Sequence, residues 1–360
     1  MTLVPSIKHM GITLISDNKL ETGVIDTRIS AATSVVFASR GIGSYEAPVP
    51  PTILSKIYWT VAVPRMVYGL EVTPITDKLI EECEASHRKL CKLIQGLPGN
   101  TPLPAPLATL SWMSMKSYIA MRKIMFLVQL ISLPDYNIYK RLVYHILGQI
   151  GPRIPDISRS PIAEMYRAAW QYGMGIDIWN SLLWGNIVST DSQKRLVKKE
   201  IWKRDELNWR ATCTLYSKLT MYRNVLKDIG VIAWWKYAKI NPCKLKQVSA
   251  AVALLLGAQP KGLQHNFGGH SCMLCGLYVN ESSVHILFEC NLMNEKRDHW
   301  LNTIRLLMPT AMVIGFDEMS VQSKCEFLLS GLNNCHVQEC DVLYGAIAVC
   351  MGENNKNHCT

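Results

Sequence analysis

Residues 76–94 read TDKLIEECEASHRKLCKLI, and this stretch is the clearest indication of the fold. Thr76 stands at the position of a helix N-cap, where its hydroxyl can accept a backbone N–H of the first turn. Apolar and weakly polar side chains recur every three or four residues, so they share one stripe of a helix. The stripe consists of Leu79, Ile80, Cys83, His87, Leu90, Cys91 and Ile94. The stretch therefore predicts an amphipathic helix whose cysteines, together with a hydrogen-bonded His87, lie in a core.

Patterns on both sides of this helix extend the prediction to a mainly α-helical protein. A short apolar run at 9–15 is typical of a strand, and residues 24–36 repeat apolar side chains at helical spacing. A helix is predicted over 52–63, where Pro64 ends or kinks it because proline lacks the backbone N–H. A longer helix is predicted over 115–132.

The composition indicates a folded, basic protein. Of the 360 residues 49% are hydrophobic and 18% charged, which supplies enough apolar side chains for a sizeable core and two or three domains. The net charge of +10 predicts an anionic partner, with nucleic acid favoured over an anionic membrane surface.

Two further features bear on the compartment. The first 15 residues do not have the pattern of a signal peptide, and the most apolar run, at 124–133, is too short to span a bilayer. We therefore expect an intracellular protein with no membrane partner, and the sequence does not separate nucleus from cytoplasm. In a reducing compartment the twelve cysteines favour metal ligands where they cluster and buried thiols where they are scattered.

One group of cysteines and histidine has the spacing of a zinc site. Cys272 and Cys275 form a Cys-x2-Cys turn, and His285 and Cys290 follow at spacings of x9 and x4. Two cysteines separated by two residues can hold one ion from a tight turn, and zinc takes four such ligands in a tetrahedron. Gly276 suits a turn that needs positive φ or a close approach of the backbone. We predict that the four residues bind Zn²⁺; the alternative is a chance coincidence in a cysteine-rich chain.

Other cysteines and histidines are weaker candidates. Cys335, His336, Cys340 and Cys350 fit no defensible ligand spacing, so buried or free thiols are favoured over a second metal site. His270 stands beside the Cys-x2-Cys turn and could replace one ligand, although an exposed position is favoured.

The basic residues are concentrated in one part of the chain. Between Lys194 and Lys246 there are 14 Lys and Arg against 4 Asp and Glu, a difference equal to the net charge of the whole chain. Lysine and arginine bind phosphates by displacing counterions. The candidate nucleic-acid-binding residues are Lys194, Arg195, Lys198, Lys199, Lys203, Arg204, Arg210, Lys236, Lys239, Lys244 and Lys246.

Aromatic residues alternate with these basic ones. They are Trp202, Trp209, Tyr216, Tyr222, Trp234, Trp235 and Tyr237. Exposed rings could stack on unpaired bases, which favours RNA or single-stranded DNA as the partner. The alternative is an ordinary helix with its rings in the core and its lysines merely solvated. We expect most of the rings to lie in the core, and it is the charge excess that favours a nucleic acid.

Patterns of known catalytic sites are missing from the sequence. A polymerase needs paired carboxylates for two metal ions, and no Asp-Asp dipeptide occurs. The nearest acidic pairs, at 205–206 and 317–318, do not follow an apolar strand. Phosphate-binding glycine loops, the Gly-x-Ser-x-Gly motif and the His-Glu-x-x-His motif are also missing. We therefore expect a protein that is not an enzyme.

Three segments in order resemble one family. Residues 8–12 (KHMGI), residues 57–71 (IYWTVAVPRMVYGLE) and residues 272–290, followed by Arg297 and Trp300, resemble the carboxy-terminal part of a LINE-type, non-LTR retrotransposon reverse transcriptase. The resemblance implies a polymerase thumb that grips template and primer, and a zinc knuckle that helps to bind element RNA or target DNA. It also implies that the catalytic aspartates of the family would lie before residue 1, so that the palm is missing.

These observations predict four regions of a mainly α-helical chain. They are a thumb-like helical region at 1–150, a basic helical connector at 151–255, a small CCHC zinc-knuckle module at 256–300 and a helical tail at 301–360. A proline-marked break at 152–161 supports the first boundary.

The function expected from the sequence is non-catalytic binding of RNA or single-stranded DNA, with Zn²⁺ holding residues 270–295. One alternative is a thumb and zinc subunit that supports RNA-directed DNA polymerase activity in trans, together with a separately encoded reverse transcriptase palm. Another is a zinc-bearing protein-interaction scaffold whose contact surface is the helix at 115–132.

Overall fold

The protein is described by a computed structural model of the 360-residue chain. The residues that it describes are 6–9, 12–15, 22–42, 48–73, 75–103, 105–155, 160–184, 190–226, 229–258, 272, 275–277, 282–307 and 310–330. Helices dominate these residues, and the prediction of a mainly α-helical protein is confirmed.

Sixteen α-helices lie in the described ranges. The first nine are α1 (Thr22–Arg40), α2 (Pro51–Ile57), α3 (Val63–Val67), α4 (Asp77–Gln95), α5 (Ala105–Thr109), α6 (Met115–Ile131), α7 (Ile138–Ile150), α8 (Pro161–Gln171) and α9 (Gly175–Trp184). The others are α10 (Thr190–Thr214), α11 (Thr220–Val225), α12 (Ala233–Ile240), α13 (Leu245–Leu255), α14 (Asn294–Leu307), α15 (Thr310–Glu318) and α16 (Val321–Ser330). None of these helices is both long and apolar enough to cross a bilayer.

The only sheet in the described residues is a two-stranded hairpin. Strands β1 (Ser6–His9) and β2 (Ile12–Ile15) pair antiparallel, with Ser6 opposite Ile15 and His9 opposite Ile12. The prediction of one strand over 9–15 is therefore wrong, because the chain reverses after His9. Two short strands satisfy each other's backbone groups, which a single unpaired strand cannot do.

The helix predicted before Pro64 is interrupted earlier than expected. After α2 the chain forms a π-helix, Tyr58–Ala62, and α3 then begins with Pro64 in its first turn. The backbone N–H groups in the first turn of a helix have no acceptor within that helix. Proline, which lacks an N–H, is therefore tolerated at position 64. Pro64 therefore does not end the helix: the π-helical turn lies before it and α3 continues to Val67, whereas a kink at Pro64 stays a prediction.

Helices α4 and α6 agree with the sequence patterns. Thr76 Oγ1 accepts the Leu79 N–H at 3.4 Å, and the stripe side chains Cys83 and Cys91 are buried. His87 is buried as well, with Tyr58 Oη 2.7 Å from Nδ1 and the Met113 carbonyl 3.0 Å from Nε2. Both ring nitrogens have partners, which confirms His87 as a hydrogen-bonded core residue.

The helices form two compact units. Unit 1 consists of Met1–Val35, Tyr58–His87 and Met113–Asn208. Its core forms where α6, α7, α8 and α9 pack on one another. A short ion pair, Lys123 Nζ to Glu164 Oε2 at 2.6 Å, links α6 to α8.

Unit 2 consists of Val36–Ile57, Arg88–Trp112 and Trp209–Thr360. Within it α12 packs against α2 and α13, and α16 packs against α11 and α13. The buried Gln95 is the polar centre of this core: its Oε1 accepts from Thr109 Oγ1 at 2.6 Å and from Trp235 Nε1 at 3.0 Å. Both units combine separate stretches of the chain, and the predicted division into four consecutive regions stays a prediction.

Candidate metal centre and basic surfaces

Four side chains of unit 2 converge as a possible metal site. The Sγ atoms of Cys272, Cys275 and Cys290 and a ring nitrogen of His285 all lie within 4.8 Å of one another. None of the three cysteines is in a disulfide. In the described part of the chain no other three His, Cys, Asp or Glu side chains are grouped so that they could hold an ion. We call these four residues the CCHC cluster.

A π-helix explains the five-residue separation of His285 and Cys290. Residues His285–Glu289 form it, and the Cys290 N–H donates to the His285 carbonyl at 2.7 Å. An i→i+5 hydrogen bond sets residues five apart one above the other, whereas an α-helix would align residues three or four apart. Both side chains therefore point to the same side. The five-residue separation of the two ligands fits this π-helical turn.

The Cys-x2-Cys turn supplies the other two ligands. The Gly276 N–H donates to the Cys272 carbonyl at 2.8 Å, and the Cys272 N–H donates to the Leu277 carbonyl at 2.9 Å. Gly276 has φ +70°, a conformation that side chains with a Cβ rarely adopt. The expectation of positive φ at this glycine is confirmed.

The donor set and its spacing fit a tetrahedral metal ion. Bonds of about 2.3 Å to sulfur and about 2.0 Å to nitrogen, set at the tetrahedral angle, separate the two ligand atoms by about 3.5 Å. Cys275 Sγ and His285 Nε2 are 3.5 Å apart. Three thiolates and one imidazole are ligands that zinc prefers.

A carboxylate lies behind the histidine. Glu289 Oε2 is 3.5 Å from His285 Nδ1, the ring nitrogen opposite the cluster. A ligand histidine commonly donates its second N–H to such a carboxylate, which fixes the tautomer and the ring orientation. Sequence reasoning did not single out Glu289, because the i, i+4 relation to His285 became informative only once a helical turn was known.

The cluster contains thiols with opposite pKa shifts. A hydrogen bond from the backbone N–H of Leu277 lowers the pKa of Cys275 to about 7, and contacts with His285 and the other two cysteines act in the same direction. Burial raises the pKa of Cys290 to about 11. Metal ligation removes the proton from a cysteine, so Cys275 is already poised for it near neutral pH, and Cys290 is not.

Residues after the cluster hold its backbone in place. Arg297 donates from Nε to the Leu287 carbonyl and from Nη2 to the Cys290 carbonyl, both at 2.8 Å. Trp300 packs edge-on against Phe288, with ring centroids 5.7 Å apart. Arg297 and Trp300, which the sequence showed only as part of a resemblance, thus support the end of the π-helix.

The predicted phosphate-binding residues all lie at the protein surface. Nine of the eleven are exposed, and Lys194 and Lys244 are half-buried. On α10 the buried side chains Val197, Ile201 and Trp209 keep to an i+4 or i+8 relation, so the cations between them point outward.

This basic stretch is divided between the two units. Six of its eleven candidates, from Lys194 to Arg204, belong to unit 1, and five, from Arg210 to Lys246, belong to unit 2. Their charge balance differs. Residues 190–208 contain six Lys and Arg against four Asp and Glu, whereas residues 209–258 contain eight Lys and Arg against a single Asp228. We call residues 209–258 the basic segment.

The aromatic residues of the stretch belong to the core. Trp209, Tyr222, Trp234, Trp235 and Tyr237 are buried. Trp202 and Tyr216 are half-buried. The expectation that most of these rings lie in the core is confirmed, and the five buried rings are not available to stack on unpaired bases.

Several acidic and thiol candidates have structural partners or lie outside the described residues. Asp205 accepts from the Ser114 N–H at 2.9 Å and from Ser117 Oγ at 2.7 Å, and Asp317 pairs with Arg305 at 2.9 Å. The candidates outside the described residues are His270, Cys335, His336, Cys340 and Cys350.

Comparison with known proteins leaves the chain without an assigned family. No family model, no curated protein and no solved structure matches it.

Proposed function

We propose that this chain is a non-catalytic nucleic-acid-binding protein whose unit 2 is held together locally by zinc. The observation that carries the proposal is the basic segment, residues 209–258, which has one acidic residue in fifty and lies in the same unit as the CCHC cluster. A segment rich in cations and poor in carboxylates attracts a polyanion.

Zinc is the ion that the cluster would hold. Cys272, Cys275, His285 and Cys290 would give a zinc ion four protein ligands and leave no position for water or substrate, which is typical of structural rather than catalytic sites. The bound ion would supply folding free energy to residues 272–290. Glu289 would orient the histidine, and Arg297 would hold the backbone carbonyls on the far side.

The resemblance to a retrotransposon reverse transcriptase supports the same proposal. It implies nucleic-acid binding through the thumb and zinc-knuckle regions, and we extend the proposal to the carboxy-terminal part of such an enzyme. The trans-acting thumb with a separately encoded palm stays a prediction.

The burial of α6 argues against the alternative of a protein-interaction scaffold, whose contact surface was expected on this helix. The helix at 115–132 corresponds to α6, and ten of its side chains are buried, among them Ile124 and Leu127 in the core of unit 1. A helix that fills a core cannot also offer its apolar residues to a partner.

The test is a salt series with the full chain, loaded with zinc, and a fluorescently labelled 20-nucleotide RNA. We expect the logarithm of the binding constant to fall linearly with the logarithm of the salt concentration, with a slope of about −0.7 for each phosphate contacted. Several contacts would give a slope of roughly −3 or steeper. Absence of binding at 50 mM salt both to this strand and to its duplex with the complementary strand, or binding that salt does not weaken, would contradict the proposal.

A further inference from the structure

Helix α12 has one apolar face and one basic face. Trp234, Trp235 and Tyr237 are buried, whereas Lys236 and Lys239 are exposed. Residues three apart are neighbours on a helix surface, about 5–6 Å between Cβ atoms. The two ammonium groups therefore project from the same outward face.

Two further lysines follow α12 along the chain. Lys244 ends the 3₁₀-helix Pro242–Lys244, and Lys246 is exposed in the first turn of α13. Within the described ranges no carboxylate lies at ion-pair distance from Lys236, Lys239 or Lys244. We call Lys236, Lys239, Lys244 and Lys246 the α12 surface.

The tryptophans beneath this surface are fixed in place. Trp234 Nε1 donates to the Leu329 carbonyl at 3.0 Å, and Trp235 Nε1 donates to Gln95 Oε1 at 3.0 Å. Rotating either ring outward would break a buried hydrogen bond and expose a large apolar side chain. In the described part of 209–258 no aromatic ring is exposed.

The lack of exposed aromatic rings in the described part of 209–258 bears on whether the nucleic acid is single-stranded or double-stranded. Proteins that bind single strands combine a basic groove with aromatic side chains on which the bases stack, worth about 1–3 kcal/mol per base. A duplex keeps its bases stacked inside and presents two lines of phosphates. Cations without exposed rings match the duplex and not the single strand.

The CCHC cluster is not a second phosphate site. Residues 259–330 contain five Lys and Arg against seven Asp and Glu, and three thiolates around one divalent ion leave a further net negative charge. The part of the chain around the cluster instead contacts α13, since Ser283 Oγ donates to the Leu254 carbonyl at 2.7 Å.

We propose that the nucleic acid bound by unit 2 is a base-paired duplex, held through its phosphates on the α12 surface without base stacking. This inference rests on the proposed function and specifies the form of its partner. Phosphate contacts carry no direct sequence information, so the duplex is bound with little sequence preference.

The test compares three forms of the zinc-loaded full chain. Wild type, Lys236→Gln/Lys239→Gln and Lys198→Gln/Lys199→Gln are titrated with a labelled 20-base-pair duplex and with one of its strands, over a salt series. The second variant is a matched control, because Lys198 and Lys199 are also exposed helical lysines, on α10 of unit 1. DNA and RNA versions of the duplex identify which backbone is preferred, and thermal unfolding checks that both variants are folded.

We expect the duplex to bind more tightly than the single strand at equal salt. Lys236→Gln/Lys239→Gln should reduce the salt slope for the duplex by about 1.8, because each duplex phosphate contact contributes about 0.9. Its affinity at 0.1 M salt should fall roughly tenfold or more, and Lys198→Gln/Lys199→Gln should have the smaller effect.

Three outcomes would overturn the inference: a single strand that binds as tightly as the duplex, an unchanged slope in Lys236→Gln/Lys239→Gln, or a larger loss in Lys198→Gln/Lys199→Gln. Each of them leaves the proposed function standing. If neither nucleic acid binds wild type at 50 mM salt, the proposed function itself fails.

Discussion

At the scale of single residues, His285 is held from two sides. Its Nε2 faces Cys275 Sγ and its Nδ1 faces Glu289 Oε2, each at 3.5 Å. A carboxylate on the second nitrogen keeps the proton at Nδ1 and leaves Nε2 with a lone pair for a metal. The geometry thus assigns Glu289 a positioning role at the CCHC cluster.

Removing this carboxylate should weaken metal binding without abolishing it. We expect Glu289→Gln to lower zinc affinity by about 10- to 100-fold, the usual effect of losing such a partner. Competition with a chromogenic chelator measures the change. Glu295→Gln, also exposed but at the start of α14, is the control, and equal affinities in the two variants would show that Glu289 does not act on the histidine.

Gln95 is the residue on which the polar core of unit 2 depends. Its Nε2 donates to the Pro106 carbonyl at 2.8 Å, while its Oε1 accepts from Thr109 and Trp235. We expect Gln95→Leu to lower the free energy of unfolding by about 1–3 kcal/mol, because the buried Trp235 Nε1 loses its acceptor, whereas Thr109 Oγ1 can still donate to the Pro106 carbonyl.

Chemical denaturation of the zinc-loaded protein measures the loss. The matched control is Gln149→Leu, at an exposed position of α7, where the change should stay within about 0.5 kcal/mol. A loss of less than about 1 kcal/mol in Gln95→Leu would mean that water or rearrangement replaces the amide.

At the scale of elements, α13 ends in a close contact that only glycine allows. Gly257 has φ +61°, and a Cβ placed on it would lie 2.2 Å from the Lys218 carbonyl oxygen. We expect Gly257→Ala to lower the free energy of unfolding by about 2–4 kcal/mol, since left-handed strain and a backbone clash add together.

A second glycine separates these two causes. Gly173 has φ +78°, but nothing lies within 4 Å of an added Cβ. Gly173→Ala should therefore cost only the strain, about 1–2 kcal/mol. Equal losses at the two positions, measured by denaturation, would show that the Lys218 carbonyl moves away without cost.

Much of the helical pattern could be predicted from local sequence, and the π-turns could not. The bounds of α6, the N-cap Thr76 and the core stripe of α4 follow from local periodicity and capping. The π-helix at His285–Glu289 leaves no such signature, because its benefit is to align His285 with Cys290. The spacing of the four residues therefore predicted the metal ligands, but it did not predict the π-helical backbone between His285 and Cys290.

At the scale of the whole molecule, each unit combines segments far apart in the sequence. Unit 2 brings Gln95 to Trp235, and unit 1 brings Ser114 to Asp205. A sequence read in order suggests consecutive regions, and it showed the basic stretch as one feature. Local patterns do not encode which distant helices pack together, so the division of the cations between two units could not be predicted.

Residues of α12 contribute both to the core of unit 2 and to its basic surface. The rings of α12 fill the core and its lysines face outward, so one helix both stabilises the unit and forms the basic surface. Sequence analysis found the cations and the rings together. Only the burial of the rings indicates binding through phosphates rather than through bases.

The most direct test of the account is the metal content of the purified full chain, with X-ray absorption at the zinc edge. We predict one zinc per chain, with three sulfur neighbours at about 2.3 Å and one nitrogen at about 2.0 Å. Cys275→Ser should lose the ion or bind it far more weakly, whereas Cys243→Ser, exposed and outside the CCHC cluster, should keep it. A wild-type chain that binds no zinc, or binds it equally well in both variants, would contradict the account.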